Sequence, residues 1–164
     1  MTRSAMVLTI SDGVSAGTRQ DESGEALAAR LSEIGFSVER AAVPDDEERI
    51  ARAVAEAAEH VELVVSTGGT GLGPRDRTPQ TLHGLLDYEI PGFGEQMRAY
   101  GRERTAMADL SRSVAGVLGT TLVIATPGSR SGALESLAAV EPILKHALET
   151  LGGRTQHADA SNGE

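Results

Sequence analysis

Cysteine is absent from all 164 residues. That removes a disulfide framework, a thiolate zinc site and a cysteine nucleophile together, and it suits a reducing, cytoplasmic setting. Aromatic rings are nearly missing as well: two Tyr, two Phe and no Trp. The core must then be Val, Ile, Leu and Ala, the composition of a parallel sheet buried on both faces. A flavodoxin-like electron carrier would lack rings to flank its flavin. No apolar run approaches the roughly 20 residues of a membrane helix, so no membrane partner is expected. Met1 to Met6 lead straight into a short strand, which is not the pattern of a signal peptide. Positive charge is in deficit, with 15 Lys and Arg against 24 Asp and Glu and a formal net charge of −9. Duplex nucleic acid is therefore not the expected partner. An anionic ligand would have to be held locally, by backbone N–H groups, a few arginines or a bridging metal.

What is present is glycine, at 19 positions, and a regular alternation of short apolar runs with helical patterns. Ala5 to Ile10 reads as a strand, followed by a polar loop. Leu27, Leu31 and Ile34 fall at helical spacing, with Gly35 as a C-cap. Phe36 to Val43 alternates as a second strand. Pro44 to Glu48 opens a helix whose inner face is Ile50, Val54, Ala57 and Val61. Leu63 to Val65 is a third strand. Thr78-Pro79 reads as an N-cap followed by proline at the first helical position. A helix runs from Pro91 through about Arg104, and Val114 to Leu118 and Thr121 to Ala125 form two strands around Gly119. The last helix spans about Gly132 to Leu151, closed by Gly152-Gly153. This predicts an α/β fold, a three-layer α/β/α sandwich with a mostly parallel sheet and a short antiparallel hairpin. Residues 1–153 form one domain, and residues 154–164 are expected to fray.

Ligands of such folds gather beyond the carboxyl ends of the strands. The loops there are Ser11 to Gly17, Thr67 to Thr78 and Thr126 to Gly132, joined by the turn at Asp45. In the second of them Gly68, Gly69, Gly71 and Gly73 allow a backbone that approaches a ligand without Cβ clashes and turns consecutive N–H groups toward an anion. Glycine clustering alone is equally compatible with a tight surface turn. The loop is not a Walker A loop, because it lacks the Gly-Lys-Ser/Thr ending, and its glycines are not spaced as in a dinucleotide fingerprint.

Thr67-Gly68-Gly69-Thr70-Gly71, with Asp76-Arg77-Thr78-Pro79 beyond it, resembles the molybdopterin-binding family of bacterial MogA and MoaB proteins and the G domains of plant Cnx and gephyrin. Further segments match in the same order: Ser11-Asp12-Gly13, Ser15-Ala16-Gly17, Asp21 with Ser23-Gly24, and Pro44-Asp45-Asp46. Pro91-Gly92-Phe93, Leu110-Ser111-Arg112 with Ala115-Gly116, and Pro127-Gly128-Ser129 continue the series. The match covers residues 5 to about 150. The resemblance implies molybdenum cofactor biosynthesis, by adenylation of the terminal phosphate of molybdopterin with ATP and Mg²⁺ and release of pyrophosphate. The alternative it leaves open is a MoaB-like carrier or scaffold that binds molybdopterin with little transfer activity. It also implies a homotrimer; helix 91–104 and the neighbouring hairpin are the contact expected for it here.

For single residues two readings stand side by side. Asp76 matches the family's functional aspartate and is the candidate catalytic carboxylate and Mg²⁺ ligand; it is also a natural turn residue. Asp45 is the second catalytic candidate, yet Asp45 to Glu48 also makes a good capping box. Ser11, Asp12 and Gly13 are candidates for substrate contact or form an Asx-type turn. Thr67 to Gly71 would cradle phosphate. Ser111 and Arg112 would bind phosphate or sit solvated. Arg75 and Arg77 are candidate anion donors, one of them expected in a surface ion pair. Pro127, Gly128 and Ser129 offer another docking turn, altered by Arg130, which stands where several relatives have proline. His60, His83, His146 and His157 show no ligand spacing. Tyr88 and Tyr100 read as partial core or subunit contact.

Overall fold

The computed structural model describes residues 2–153; the expected fraying at 154–164 and His157 lie outside the described residues. The strands are β1 (Arg3–Ile10), β2 (Phe36–Val43), β3 (Leu63–Thr67), β4 (Tyr88–Glu89), β5 (Ala115–Leu118) and β6 (Thr121–Thr126). They form one sheet in the order β2-β1-β3-β6-β5-β4. β2, β1, β3 and β6 run parallel, and β5 is antiparallel to both its neighbours. The helices are α1 (Asp12–Ser15), α2 (Glu22–Glu33), α3 (Glu47–Ala58), α4 (Thr78–Leu85), α5 (Pro91–Arg102) and α6 (Arg130–Leu151), with a 3-10 turn at Ala106–Leu110.

β3 and β6 are buried along their whole length, as their aliphatic centres, Leu63 to Val65 and Leu122 to Ala125, require. Side chains alternate between two cores. Val7, Val65, Leu122 and Ile124 pack with Leu27, Leu31, Met97, Leu137 and Leu144 from α2, α5 and α6. Leu8, Val64, Val123 and Ala125 pack on the other face with Ile50, Val54 and Leu82 from α3 and α4. The result is the three-layer α/β/α sandwich with the antiparallel β5–β6 hairpin that the sequence predicts.

The chain leaves β1 toward β2 on one side and returns to β3 on the other, so the sheet reverses its winding between β1 and β3. That gap is where an open parallel sheet leaves a crevice. Several local expectations shift. The loop after β1 holds the short helix α1, capped by the Ser11 hydroxyl, which accepts from the Val14 N–H. β4 and the 3-10 turn carry no apolar periodicity and are visible only in the fold. α6 begins at Arg130, two residues before Gly132, because the Ser129 hydroxyl accepts from the Gly132 N–H and caps it there. α5 stops at Arg102.

Candidate active site

Three strand ends meet at the reversal. Thr67 and Thr126 are aligned across β3 and β6, and their hydroxyls stitch the two ends together. Thr67 Oγ1 donates to the Pro127 carbonyl at 2.7 Å, and Thr126 Oγ1 to the Ser66 carbonyl at 2.8 Å. Beyond Thr67 the backbone takes positive φ at Gly68 (106°) and Gly69 (70°). A Cβ on Gly68 would run into the Ile10 carbonyl, and one on Gly69 into the Thr78 hydroxyl, so both positions need glycine for space as well as for φ. The N–H groups of Gly69, Thr70 and Gly71 donate to no carbonyl among the described residues. Unpaired backbone donors at a strand end are an anion-binding concavity.

Thr78 does not cap α4 as expected. Arg77 occupies the cap position without a side-chain bond, and Pro79 falls at the second helical position. The Thr78 hydroxyl is turned inward and donates to the Gly68 carbonyl at 3.0 Å. It locks the far end of the loop onto its start.

The loop's other fixture is Arg112. Its backbone N–H donates to the Thr70 carbonyl, and its guanidinium donates to the carbonyls of Gly71 (3.0 and 2.7 Å) and Asp76 (2.7 Å). The Arg112 Nε and Nη2 thus bind the loop's own backbone, so Arg112 is not simply a solvated side chain. Ser111 shares a hydrogen bond with Ser113 at 2.8 Å, and Arg98 donates to the Ser113 carbonyl at 3.0 Å. Asp76 lies half-buried, with one carboxylate oxygen accepting the Gly73 N–H at 2.8 Å. Its second oxygen has no hydrogen-bond partner among the described residues.

Asp45 and Asp46 divide the two roles that the sequence leaves superposed. Asp46 is the cap of α3, accepting from the Arg49 N–H. Asp45 faces the first loop instead: its carboxylate accepts the Asp12 N–H at 3.0 Å, and its own N–H donates to the Asp12 carboxylate at 3.0 Å. Asp12 also receives Arg75 through two hydrogen bonds, at 2.8 and 2.9 Å. The Arg75 guanidinium, with the Asp45 N–H, holds the Asp12 carboxyl below its ordinary range, and Asp12 raises Arg75 in return. Arg77 pairs with Glu47. Both arginines of the loop are thus engaged in ion pairs, where only one was expected.

Two hollows open on this loop. The first, about 450 Å³, is bounded by Ser11, Asp45, Gly68, Gly69, Asp76 and the Gly128–Arg130 turn. Arg19 and Arg130 line it and form no ion pair among the described residues. Arg19 escaped the sequence reading, because an isolated arginine in a polar loop carries no pattern. The second hollow, about 500 Å³, is bounded by Gly69 to Leu72, Asp76, Ser111, Pro127 and Gly128, with Met107 and Leu110 as an apolar rim. The two share Gly69, Asp76 and Gly128, so Asp76 stands at their seam. Gly13 lies in α1 beside the first hollow without lining it.

Asp76 and Asp45 are hard oxygen donors bordering the same space. Among the described residues no three carboxylates, histidines or cysteines gather into a metal cage. Two carboxylates with room for phosphate oxygens is the donor set that suits Mg²⁺, which keeps several waters and takes one or two carboxylates. His60, His83 and His146 are exposed, away from this edge. Tyr88 is 55% exposed on the edge strand, and Tyr100 packs against the core, so neither borders these hollows.

The fold and this site define an α/β protein with a mostly parallel sheet and a glycine loop of unpaired backbone N–H groups at its strand ends. The chain belongs to the family described as "Probable molybdopterin binding domain", which it matches over residues 6–146. It is 39% identical to a molybdenum cofactor biosynthesis bifunctional protein of Chlorobaculum tepidum over 90% of this chain and 48% of that protein. The chain thus spans about half the length of that relative. It is 33% identical to a molybdopterin adenylyltransferase of Helicobacter pylori, covering 95% of this chain and 92% of that one. The crystal structure of the molybdopterin biosynthesis enzyme MoaB of Thermus thermophilus superposes with a TM-score of 0.82 at 45% identity, over 93% of this chain and 98% of that one. No helix among the described residues is long and apolar enough to cross a membrane.

Proposed function

We propose that this chain acts in molybdenum cofactor biosynthesis as a molybdopterin adenylyltransferase. A terminal phosphate oxygen of molybdopterin attacks the α-phosphorus of ATP, a new P–O bond forms, the bond to the β-phosphate breaks, and pyrophosphate leaves. The observation that carries this reading is the seam: the unpaired Gly69 N–H and Asp76 stand where two hollows meet, with the unpaired N–H groups of Thr70 and Gly71 beside them on the second hollow. Two polyanions, one in each hollow, can meet at the shared residues, and transfer of a phosphoryl-type group needs chiefly such positioning and charge neutralisation. The names of relatives such as the Helicobacter pylori enzyme support adenylyl transfer over a carrier role.

In this reading the glycine loop binds phosphate through its N–H groups, and Arg19 and Arg130 neutralise the polyphosphate in the first hollow. Asp76 and Asp45 would hold Mg²⁺, which when bound would supply Lewis-acid neutralisation of phosphate charge. The unit at 1–153 works in the cytoplasm as a homotrimer, with α5 and the neighbouring hairpin as its contact. The test is the purified chain with molybdopterin, ATP and Mg²⁺, scoring adenylyl-molybdopterin and pyrophosphate. Both products are expected; tight molybdopterin binding without either would replace the enzyme with a carrier.

A further inference from the structure

We propose that Arg75 and Arg77 are positioning residues: two guanidinium struts outside the hollows that hold Asp76 against Asp45 and so set how tightly the pair grips a divalent cation. The proposal rests on the reading of Asp76 and Asp45 as the Mg²⁺ carboxylates given above. The two arginines flank Asp76 in the chain, one on each side. Arg75 forks onto the Asp12 carboxylate at 2.8 and 2.9 Å, and Arg77 pairs with Glu47. Asp12 is in turn locked to Asp45 by a ring of two hydrogen bonds, each carboxylate accepting the other residue's N–H at 3.0 Å. Glu47 opens α3, two residues past Asp45. The glycine loop is thereby tied, before and after Asp76, to the turn that carries Asp45.

Asp12, Arg75, Arg77 and Glu47 line neither of the two hollows, whereas Asp45 and Asp76 both border the first. Folding stability is a poor account of these bridges. Their side chains are between 44% and 64% exposed, and ion pairs so open to water contribute little. Position is a better one. Asp45 gives one carboxylate oxygen to the Asp12 N–H, and Asp76 gives one to the Gly73 N–H. The other oxygen of each has no hydrogen-bond partner among the described residues. Groups that orient such carboxylates from behind govern how well they bind a metal. Charge alone predicts the opposite effect. A cation beside a metal site repels the metal, so deleting it on that ground tightens binding, whereas deleting a strut loosens it. The two roles therefore differ in sign.

The test uses the full chain with Mn²⁺ in place of Mg²⁺ and α,β-methylene-ATP, whose α–β bridge does not cleave, and reads free Mn²⁺ by electron paramagnetic resonance. Arg75→Gln should weaken Mn²⁺ binding about tenfold or more, with the melting temperature and the metal-free affinity for the analogue kept. Arg77→Gln should weaken it by less, since Arg77 makes a single hydrogen bond to Glu47. Arg75→Lys should restore only part of the loss, because an ammonium cannot form the fork. In an Asp45→Asn background Arg75→Gln should add no further loss, as expected of a residue that acts through Asp45. Unchanged or tighter Mn²⁺ binding in Arg75→Gln or Arg77→Gln, or a full further loss on top of Asp45→Asn, would overturn the struts and leave the carboxylate reading standing. A wild-type chain that binds no Mn²⁺ beside the analogue would refute both.

Discussion

Asp76, which borders both hollows, has one carboxylate oxygen committed to the Gly73 N–H and one without a hydrogen-bond partner among the described residues. Asn can keep the first contact and loses the charge at the second. Asp76→Asn is therefore expected to fold with little change in melting temperature and to lose about a hundredfold or more in kcat, on the scale of removing one electrostatic stabiliser. Full activity would remove Asp76 from the chemistry. Arg130 acts on the ground state in this scheme, so Arg130→Ala should raise the KM for ATP several-fold with kcat nearly kept, measured by steady-state kinetics. Asp12 offers a pH test. Its folded pKa lies below the ordinary value of 3.8, so its pairing with Arg75 contributes above that pH and is lost as pH falls through the depressed value. Titration of the Asp12 carboxyl by NMR should show the shift, and Arg75→Gln should move it back toward the ordinary value, with the Asp45 N–H bond retaining part of the depression.

The glycine loop has its backbone held by its neighbours. Arg112 closes three hydrogen bonds onto Gly71 and Asp76, and Thr78 closes one onto Gly68. Arg112→Ala leaves those loop carbonyls without their donors, for a cost of about 1–3 kcal/mol in chemical denaturation. Amide exchange at Gly73 and Asp76 should accelerate in that variant, while the α6 cap at Ser129 stays protected. These supports explain what was legible in the sequence at this scale. The glycines, the strand before them and the carboxylate beyond them are local signals. The inward turn of Thr78 and the recruitment of Arg112 from across the chain are tertiary choices that no local pattern carries. Asp45 and Asp46 show the same limit: a capping box identifies the pair, and only the packing of β2 against α1 decides which caps and which faces the cleft.

At the scale of the molecule the fold class followed from aliphatic runs alternating with amphipathic helices. β4 and the 3-10 turn did not, because two residues of edge strand and a single tight turn have no periodicity to read. Leu122, fully buried between β3 and β5, reports on the integrity of this core. Leu122→Ala should cost about 2–5 kcal/mol in urea unfolding, with far less effect on KM than the loop variants. Light scattering should return three times the chain mass; a clean monomer would remove α5 and the hairpin as a subunit contact.

One contact reaches further than packing. A Cβ on Gly128 would lie 3.3 Å from the Gly68 Cα, so the turns after β3 and β6 rest backbone on backbone with no side chain between them to absorb a displacement. A shift of one turn on ligation is then felt by the other. The two substrates should bind cooperatively, and linkage requires the factor by which ATP tightens molybdopterin to equal the factor by which molybdopterin tightens ATP.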